Sequence, residues 1–236
     1  PSRGLGDVYK RQIYYDDQIF ACRDHLGVKP LYYYLKENDL IIASEIKAIL
    51  MYLGKCVVDK TGIKELLGLG PSLSPGKTLY KDISSLRPAH YLFYDGNNCV
   101  IERYWCLQKK PHLKSYEETI QDVRYLVNQS IQRQLLSDVP ISCMLSGGLD
   151  SSIITALSSQ YVNNISTYSI DYLDQEKYFK PYDYQLTRDS DYIDEMVERY
   201  HSHHNNVVLS QKNLIIFLKQ SMICLLYTSD AADDLT

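Results

Sequence analysis

Residues 139–145 and the segment that follows at once, Ser146-Gly147-Gly148-Leu149-Asp150-Ser151-Ser152, constrain this chain more than any other stretch. The first is almost continuously apolar, the pattern of a strand buried on both faces in a parallel sheet. Downstream, 151–161 reads as a helix, 165–170 as a second strand, 191–201 as a helix and 206–209 as a third strand. Strands alternating with helices predict right-handed βαβ units and a Rossmann-like parallel α/β sheet. In such a sheet, ligands bind where a loop leaves the carboxyl end of a strand and opens a helix.

The composition of the loop points to an anion. Unsatisfied N–H groups at a helix start and the helix macrodipole both favour negative charge. Gly147 and Gly148 let the backbone come close to an anion, because no Cβ intrudes. Ser146, Ser151 and Ser152 add hydroxyl donors. Asp150 runs against this pattern, since a carboxylate repels a phosphate. A divalent cation between the two removes the repulsion, which makes Asp150 a candidate Mg²⁺ ligand. Three familiar loops do not fit. A Walker A loop needs a lysine, the glycine spacing misses the dinucleotide fingerprint, and Met144 stands where a nucleophile elbow has its first glycine. A plain glycine turn with Ser151 capping a helix is the structural alternative.

Upstream the chain is β-rich. Residues 13–24 predict two short strands around Asp16-Asp17, and 31–45 a hairpin with 36–39 as its polar turn. Residues 45–53 and 59–67 read as short helices, 68–77 as a Gly/Pro loop, and 91–105 as a second hairpin turning at Asp95-Gly96-Asn97-Asn98. Residues 106–116 make a polar linker. Ser115 and Glu118 form a capping box for a helix with Ile120, Val123, Val127 and Ile131 on one stripe. The expected organisation is a β-rich unit over 13–105 and an α/β unit over 117–223.

Composition sets limits on function. The 236-residue chain is 45% hydrophobic and 23% charged, with a formal net charge of -4. That balance excludes wholesale disorder and, with no basic block, a sequence-independent nucleic-acid binder. No apolar run approaches the ~18 residues of a membrane span. Cys22, Cys56, Cys99, Cys106, Cys143 and Cys224 form no C-x-x-C pair, which removes zinc knuckles and thioredoxin-type chemistry. Scattered in this way, they fit structural free thiols and a cytoplasmic location. Residues 1–12 and 224–236 continue neither neighbour's periodicity. They are expected to be non-native extensions, so that the chain would be a fragment of a longer one.

Residues 146–152 match the S-G-G-x-D-S-S pyrophosphate loop of the ATP pyrophosphatase superfamily, whose members adenylate a substrate and release pyrophosphate. With their approach, 135–157, they resemble the synthetase domain of glutamine-hydrolysing asparagine synthetases. The first half is similar to the same family independently. Arg23-Asp24-His25-Leu26-Gly27-Val28-Lys29-Pro30-Leu31-Tyr32-Tyr33 resembles R-D-x-x-G-x-K-P-L-Y-Y late in its glutaminase domain. Ala43-Ser44-Glu45-Ile46-Lys47-Ala48 resembles its A-S-E-x-K-A stretch, and 84–96 its P-G-H segment, with Ala89 in place of the usual glycine. That departure touches only a turn. The resemblance spans 13–222.

The resemblance implies a β-rich remnant of an N-terminal-nucleophile glutaminase domain, followed by a truncated ATP-pyrophosphatase domain. It implies ATP and Mg²⁺, aspartate and glutamine as small-molecule substrates, a homodimeric parent enzyme, and neither nucleic-acid nor membrane partners. ATP would meet Leu145, Ser146, Gly147, Gly148, Asp150, Ser151, Ser152 and Ile170, the last lying at the end of the next strand. Leu145 and Ile170 also read as plain core aliphatics. The family's N-terminal cysteine nucleophile has no counterpart, since Pro1 begins this chain and Cys22 lies inside a predicted strand. The glutamine-binding segments and a second loop, of S-G-E-G-x-D-E type, are expected outside this chain. The parent would form asparagine through β-aspartyl-AMP, while the fragment alone would bind nucleotide weakly and not turn over. The alternatives are a related enzyme that adenylates another carboxylate, as β-lactam synthetases do, and a non-catalytic nucleotide-binding module.

Two weaker signals complete the reading. His201-Ser202-His203-His204 reads as a solvated helix terminus rather than a metal site. The acidic-aromatic stretch 171–192 reads as a surface loop near the nucleotide.

Overall fold

In the computed structural model, which describes residues 10–70, 73–174, 177, 179–181 and 188–224, the chain divides between Pro111 and His112. The first unit is built from hairpins. β1 (Lys10–Tyr15) and β2 (Gln18–Arg23) pair around Asp16 and Asp17, both with positive φ (50° and 57°). Two successive left-handed residues give the turn whose twist matches that of paired strands. β1 begins at Lys10, inside the segment 1–12. β3 (Tyr32–Lys36) and β4 (Asp39–Ala43) form the second hairpin, followed by α1 (Ile46–Leu53) and α2 (Lys60–Leu69). After β5 (Ile83–Ser85), β6 (His90–Tyr94) and β7 (Cys99–Arg103) make the third hairpin.

These strands form two antiparallel sheets, ordered β1-β2-β6-β7 and β4-β3-β5. Ala21, Leu92 and Tyr94 of the first sheet meet Tyr33, Leu35 and Ile42 of the second, with Leu31 and Leu86 between them. The Tyr94 hydroxyl donates to the Asn38 and Gly96 carbonyls at 2.7 and 2.9 Å, which pins two hairpin turns together. β5 was not foreseen. Its three residues are too few to show a period, and it exists because β3 offers it a free edge.

The segment that connects β2 to β3 is held by its own motif residues. Arg23 donates from Nε to the Lys29 carbonyl (2.8 Å), from Nη1 to the Leu86 carbonyl (2.7 Å) and Ser85 Oγ (3.1 Å), and from Nη2 to the Gly27 carbonyl (2.8 Å). The Asp24 carboxylate accepts the N–H groups of Leu26, Val28 and Lys29. Gly27 sits at φ +71°, where a Cβ would lie 2.6 Å from the Pro88 ring. The R-D-x-x-G pattern is therefore architectural here. Glu45 is buried at the start of α1 and pairs with Lys47 at 2.7 Å.

Ala89 keeps the left-handed turn its position requires, at φ 57°, with its N–H on the Asp24 carbonyl (2.8 Å) and its own carbonyl accepting from Tyr104 (2.9 Å). A Cβ in that region costs about 1–2 kcal/mol that glycine avoids. Ala89→Gly is therefore expected to stabilise the first unit by about 1 kcal/mol. Urea unfolding followed by the single tryptophan, Trp105, measures this.

The second unit opens with α3 (Tyr116–Gln134), whose Ser115–Glu118 capping box is complete. Then follow β8 (Ser142–Met144), α4 (Leu149–Ser158), β9 (Ser166–Tyr172), α5 (Asp189–Tyr200), β10 (His203–Leu209) and α6 (Gln211–Cys224). All pairing is parallel, in the order β10-β9-β8. Two expectations are corrected. The strand read over 139–145 is only three residues long and lies at the edge of the described sheet, because Pro140 offers no N–H to a ladder. The α3 stripe is not buried among the described residues, with Val123 still 54% exposed.

Candidate functional site

The 146–152 loop leaves β8 and enters α4. Leu145, just before it, is fully buried, and its N–H donates to the Tyr168 carbonyl of β9 at 2.7 Å. Its side chain therefore belongs to the core, and any ligand contact at this position is made by its main chain. Gly147 has φ +76°, and a Cβ there would stand 2.5 Å from the carbonyl oxygen of Asp189, where α5 begins. Loop and helix start are thus pressed backbone to backbone, which only glycine permits.

Gly148 differs. It is the N-cap of α4 with an ordinary φ of -73°, and a Cβ on it would meet only Ser146 Oγ, at 3.5 Å. Nothing in the protein requires glycine there, so the space it leaves open faces outward. Ser151 organises the loop from within. Its hydroxyl donates to the Gly148 carbonyl (3.1 Å), accepts the Ser146 N–H (3.2 Å) and meets Ser146 Oγ at 3.1 Å. The Ser152 N–H closes the first helical turn on the Gly148 carbonyl at 3.1 Å.

Among the described residues, the N–H groups of Leu149, Asp150 and Ser151 meet no protein acceptor. Three adjacent donors at a helix start, with the macrodipole behind them, favour negative charge in front of them. Asp150 is exposed beside them and enters no ion pair among the described residues. No group of three or more His, Cys, Asp or Glu is placed to hold a metal among the described residues.

Ile170 lies on β9. The last β8 pair is Met144 with Tyr168, so Ser146 and Ile170 each stand two residues further along their strands. Ile170 is 54% exposed, which removes the core reading and leaves its side chain available at the level of the loop. An apolar cavity of about 550 Å³ between α3, α4 and β8 touches the loop only through Asp150 and Ser151. Its walls, Val127, Ile131, Ile141, Ile153 and Ile154, suit packing rather than a triphosphate.

The histidine cluster is corrected. α5 ends at Tyr200, and only His201 is an exposed left-handed cap (φ 49°, ψ 40°). Ser202 is buried, while His203 and His204 belong to β10. The sequence offers no strand signal here, since Ser202-His203-His204-Asn205-Asn206 is polar at every position and shows no two-residue alternation. Part of the 171–192 loop lies outside the described residues, as do most of 1–12 and 225–236. Cys22 sits in β2, half-buried, with its thiol directed to its own strand at the Arg23 carbonyl (3.7 Å), which is no place for a nucleophile.

A parallel α/β unit with a glycine loop at a strand's carboxyl end, preceded by an antiparallel β unit, defines a mixed α/β chain of two compact units. The two units are matched by different family models, the glutamine amidotransferase domain over residues 8–105 and asparagine synthase over 122–226. The chain is 41% identical over 211 residues to the glutamine-hydrolyzing asparagine synthetase 3 of Bacillus subtilis (strain 168), covering 87% of this chain and 34% of that protein. It is 32% identical over 146 residues to the glutamine-hydrolyzing asparagine synthetase B of Escherichia coli (strain K12), 61% of this chain and 22% of that one. It is 30% identical over 144 residues to amidase chyE of Penicillium rubens, 59% of this chain and 21% of that one. The chain belongs to the family of glutamine-hydrolysing asparagine synthetases. It spans well under half the length of each of these relatives.

Proposed function

We propose that this chain is part of an ATP-dependent amidotransferase that makes asparagine from aspartate and glutamine. The observation that carries the reading is the set of three N–H groups at the start of α4 beside Asp150, all without a partner among the described residues. In this reading the loop holds the phosphates of ATP. The donors of Leu149, Asp150 and Ser151 and the open face of Gly148 receive them, and Ile170 borders the nucleotide from β9. The Asp150 carboxylate would hold Mg²⁺, which would supply positive charge against the departing pyrophosphate.

The substrate carboxylate of aspartate attacks the α-phosphorus, the bond to pyrophosphate breaks, and β-aspartyl-AMP results. Ammonia, released when glutamine is hydrolysed, then displaces AMP. The fixed N–H groups need no reorganisation as negative charge builds on the leaving group, and one such donor is worth about 2.7–4 kcal/mol. We assign glutamine hydrolysis to an N-terminal-nucleophile domain of which the first unit is one part, with the nucleophile on neither Cys22 nor the loop. Five of the six cysteines are free among the described residues, which agrees with a cytoplasmic setting. Among the described residues no helix is long and apolar enough to cross a membrane.

The test is aspartate-dependent pyrophosphate release by the intact protein. Asp150→Ala is expected to lower it by about 100-fold. Unchanged release would refute the role of Asp150. Release that depends on a different carboxylic acid would move the reading to another substrate, the alternative within the same chemistry.

A further inference from the structure

A chain of hydroxyls and one imidazole crosses from β9 to β10 without touching the loop. Thr167 and Ser169 are buried on one face of β9, and Ser202, His204 and Asn206 follow with the same two-residue period. Ser169 donates its proton to Asn206 Oδ1 at 3.1 Å, so its oxygen accepts from His204 Nε2 at 3.0 Å. An imidazole protonated at Nε2 accepts at Nδ1, where Thr167 Oγ1 lies at 2.9 Å. The Thr167 oxygen in turn accepts from the Ser202 hydroxyl at 3.0 Å. The chain therefore runs in one direction and selects one neutral tautomer of His204. In the strand register His204 pairs with Thr167 and Val207 with Ile170, so the clasp ends one residue before Ile170.

We propose that His204 is a positioning residue of the nucleotide site: its two ring nitrogens clasp Thr167 and Ser169 and hold the carboxyl end of β9, with Ile170, level with the 146–152 loop. The proposal rests on the phosphate reading of that loop. His204 itself does not reach the ligand.

Protonation gives the reading a pH signature. Burial holds the His204 imidazolium below the ordinary histidine range, while the Asp194 carboxylate of α5 pulls the other way. Its hydrogen-bond network is made of neutral groups: the hydroxyls of Thr167, Ser169 and Ser202 and the amide of Asn206. A proton on Nδ1 removes the acceptor that Thr167 uses, so the Thr167–Ser202 half of the chain must reverse. The clasp is neutral above the depressed pKa; as pH falls through it, the ring becomes a half-buried cation and the hydrogen-bond chain reorganises around it. Folding loses stability in the same direction, because the unfolded imidazole takes up its proton at higher pH.

Nitrogen NMR of the full chain, titrated with Mg·ATP, tests this. Wild type should show the Nε2–H tautomer, and its affinity should fall as pH drops below the ordinary histidine range. His204→Leu should weaken binding about tenfold. His204→Gln, whose amide can still donate to Ser169, should recover most of the affinity and lose the pH-dependent decline. If His204→Leu does not fold, Ser169→Ala carries the same test, with about threefold weakening expected. Wild-type binding that Asp150→Ala abolishes and the His204 variants leave unchanged overturns the positioning role alone. A wild-type chain that binds no Mg·ATP overturns the phosphate reading and this proposal with it.

Discussion

Replacing Arg23 by methionine is expected to cost the first unit about 3–4 kcal/mol. The stem of the side chain can be replaced by one of similar length, but its four hydrogen bonds cannot. They end on the carbonyls of Gly27, Lys29 and Leu86 and on Ser85 Oγ, and so join the segment after β2 to the segment after β5. Burial already pulls the guanidinium below its ordinary pKa, and its charge is retained because those carbonyls replace water. Methionine leaves three carbonyls without their donor at a half-buried site. Urea unfolding followed at Trp105 reads the loss in the unit that contains it, which avoids treating two units as one transition. An exposed control, Lys36→Met, should shift stability by less than about 0.5 kcal/mol. Equal midpoints for the two variants would show that Arg23 holds nothing.

Gly147→Ala is expected to destabilise the second unit by about 3 kcal/mol and to weaken Mg·ATP binding by at least about tenfold. Two costs combine. The backbone is left-handed at φ +76°, and the new methyl would stand 2.5 Å from the Asp189 carbonyl oxygen, a backbone atom that cannot swing aside. Either the loop or the start of α5 must move. Gly148→Ala is the informative partner. Its Cβ meets only Ser146 Oγ at 3.5 Å, so folding should change by less than about 1 kcal/mol. Binding should nevertheless fall, because the methyl enters the space assigned to phosphate. Thermal unfolding by circular dichroism and an ATP titration of both variants separate the two roles. If Gly148→Ala bound as well as wild type, the phosphates would lie elsewhere.

The hairpins at 13–24, 31–45 and 91–105 were legible because turn chemistry and strand alternation are local. So were the capping box of α3 and the order strand, loop, helix around 146–152. The length of β8 was not, since an apolar run does not reveal how many of its residues find a partner, and Pro140 ended the ladder. Ser202 and His204 were taken for a helix end, and the strand was begun only at Asn206, because the run from Ser202 to Asn206 is polar throughout and shows no alternation. Thr167 and Ser169, their partners, are more than thirty residues away in sequence.

The sequence by itself determined the family, through the spacing of the loop's glycines and serines and Asp150. Such motifs are contiguous, and the conformation each residue prefers is a local property. Only the tertiary structure decided what each of them faces. It pressed Gly147 against Asp189 while leaving Gly148 open, buried the side chain of Leu145 while exposing that of Ile170, and made Arg23 and Asp24 braces. These outcomes depend on segments distant in the chain arriving at one place, and residue order carries no direct record of such meetings.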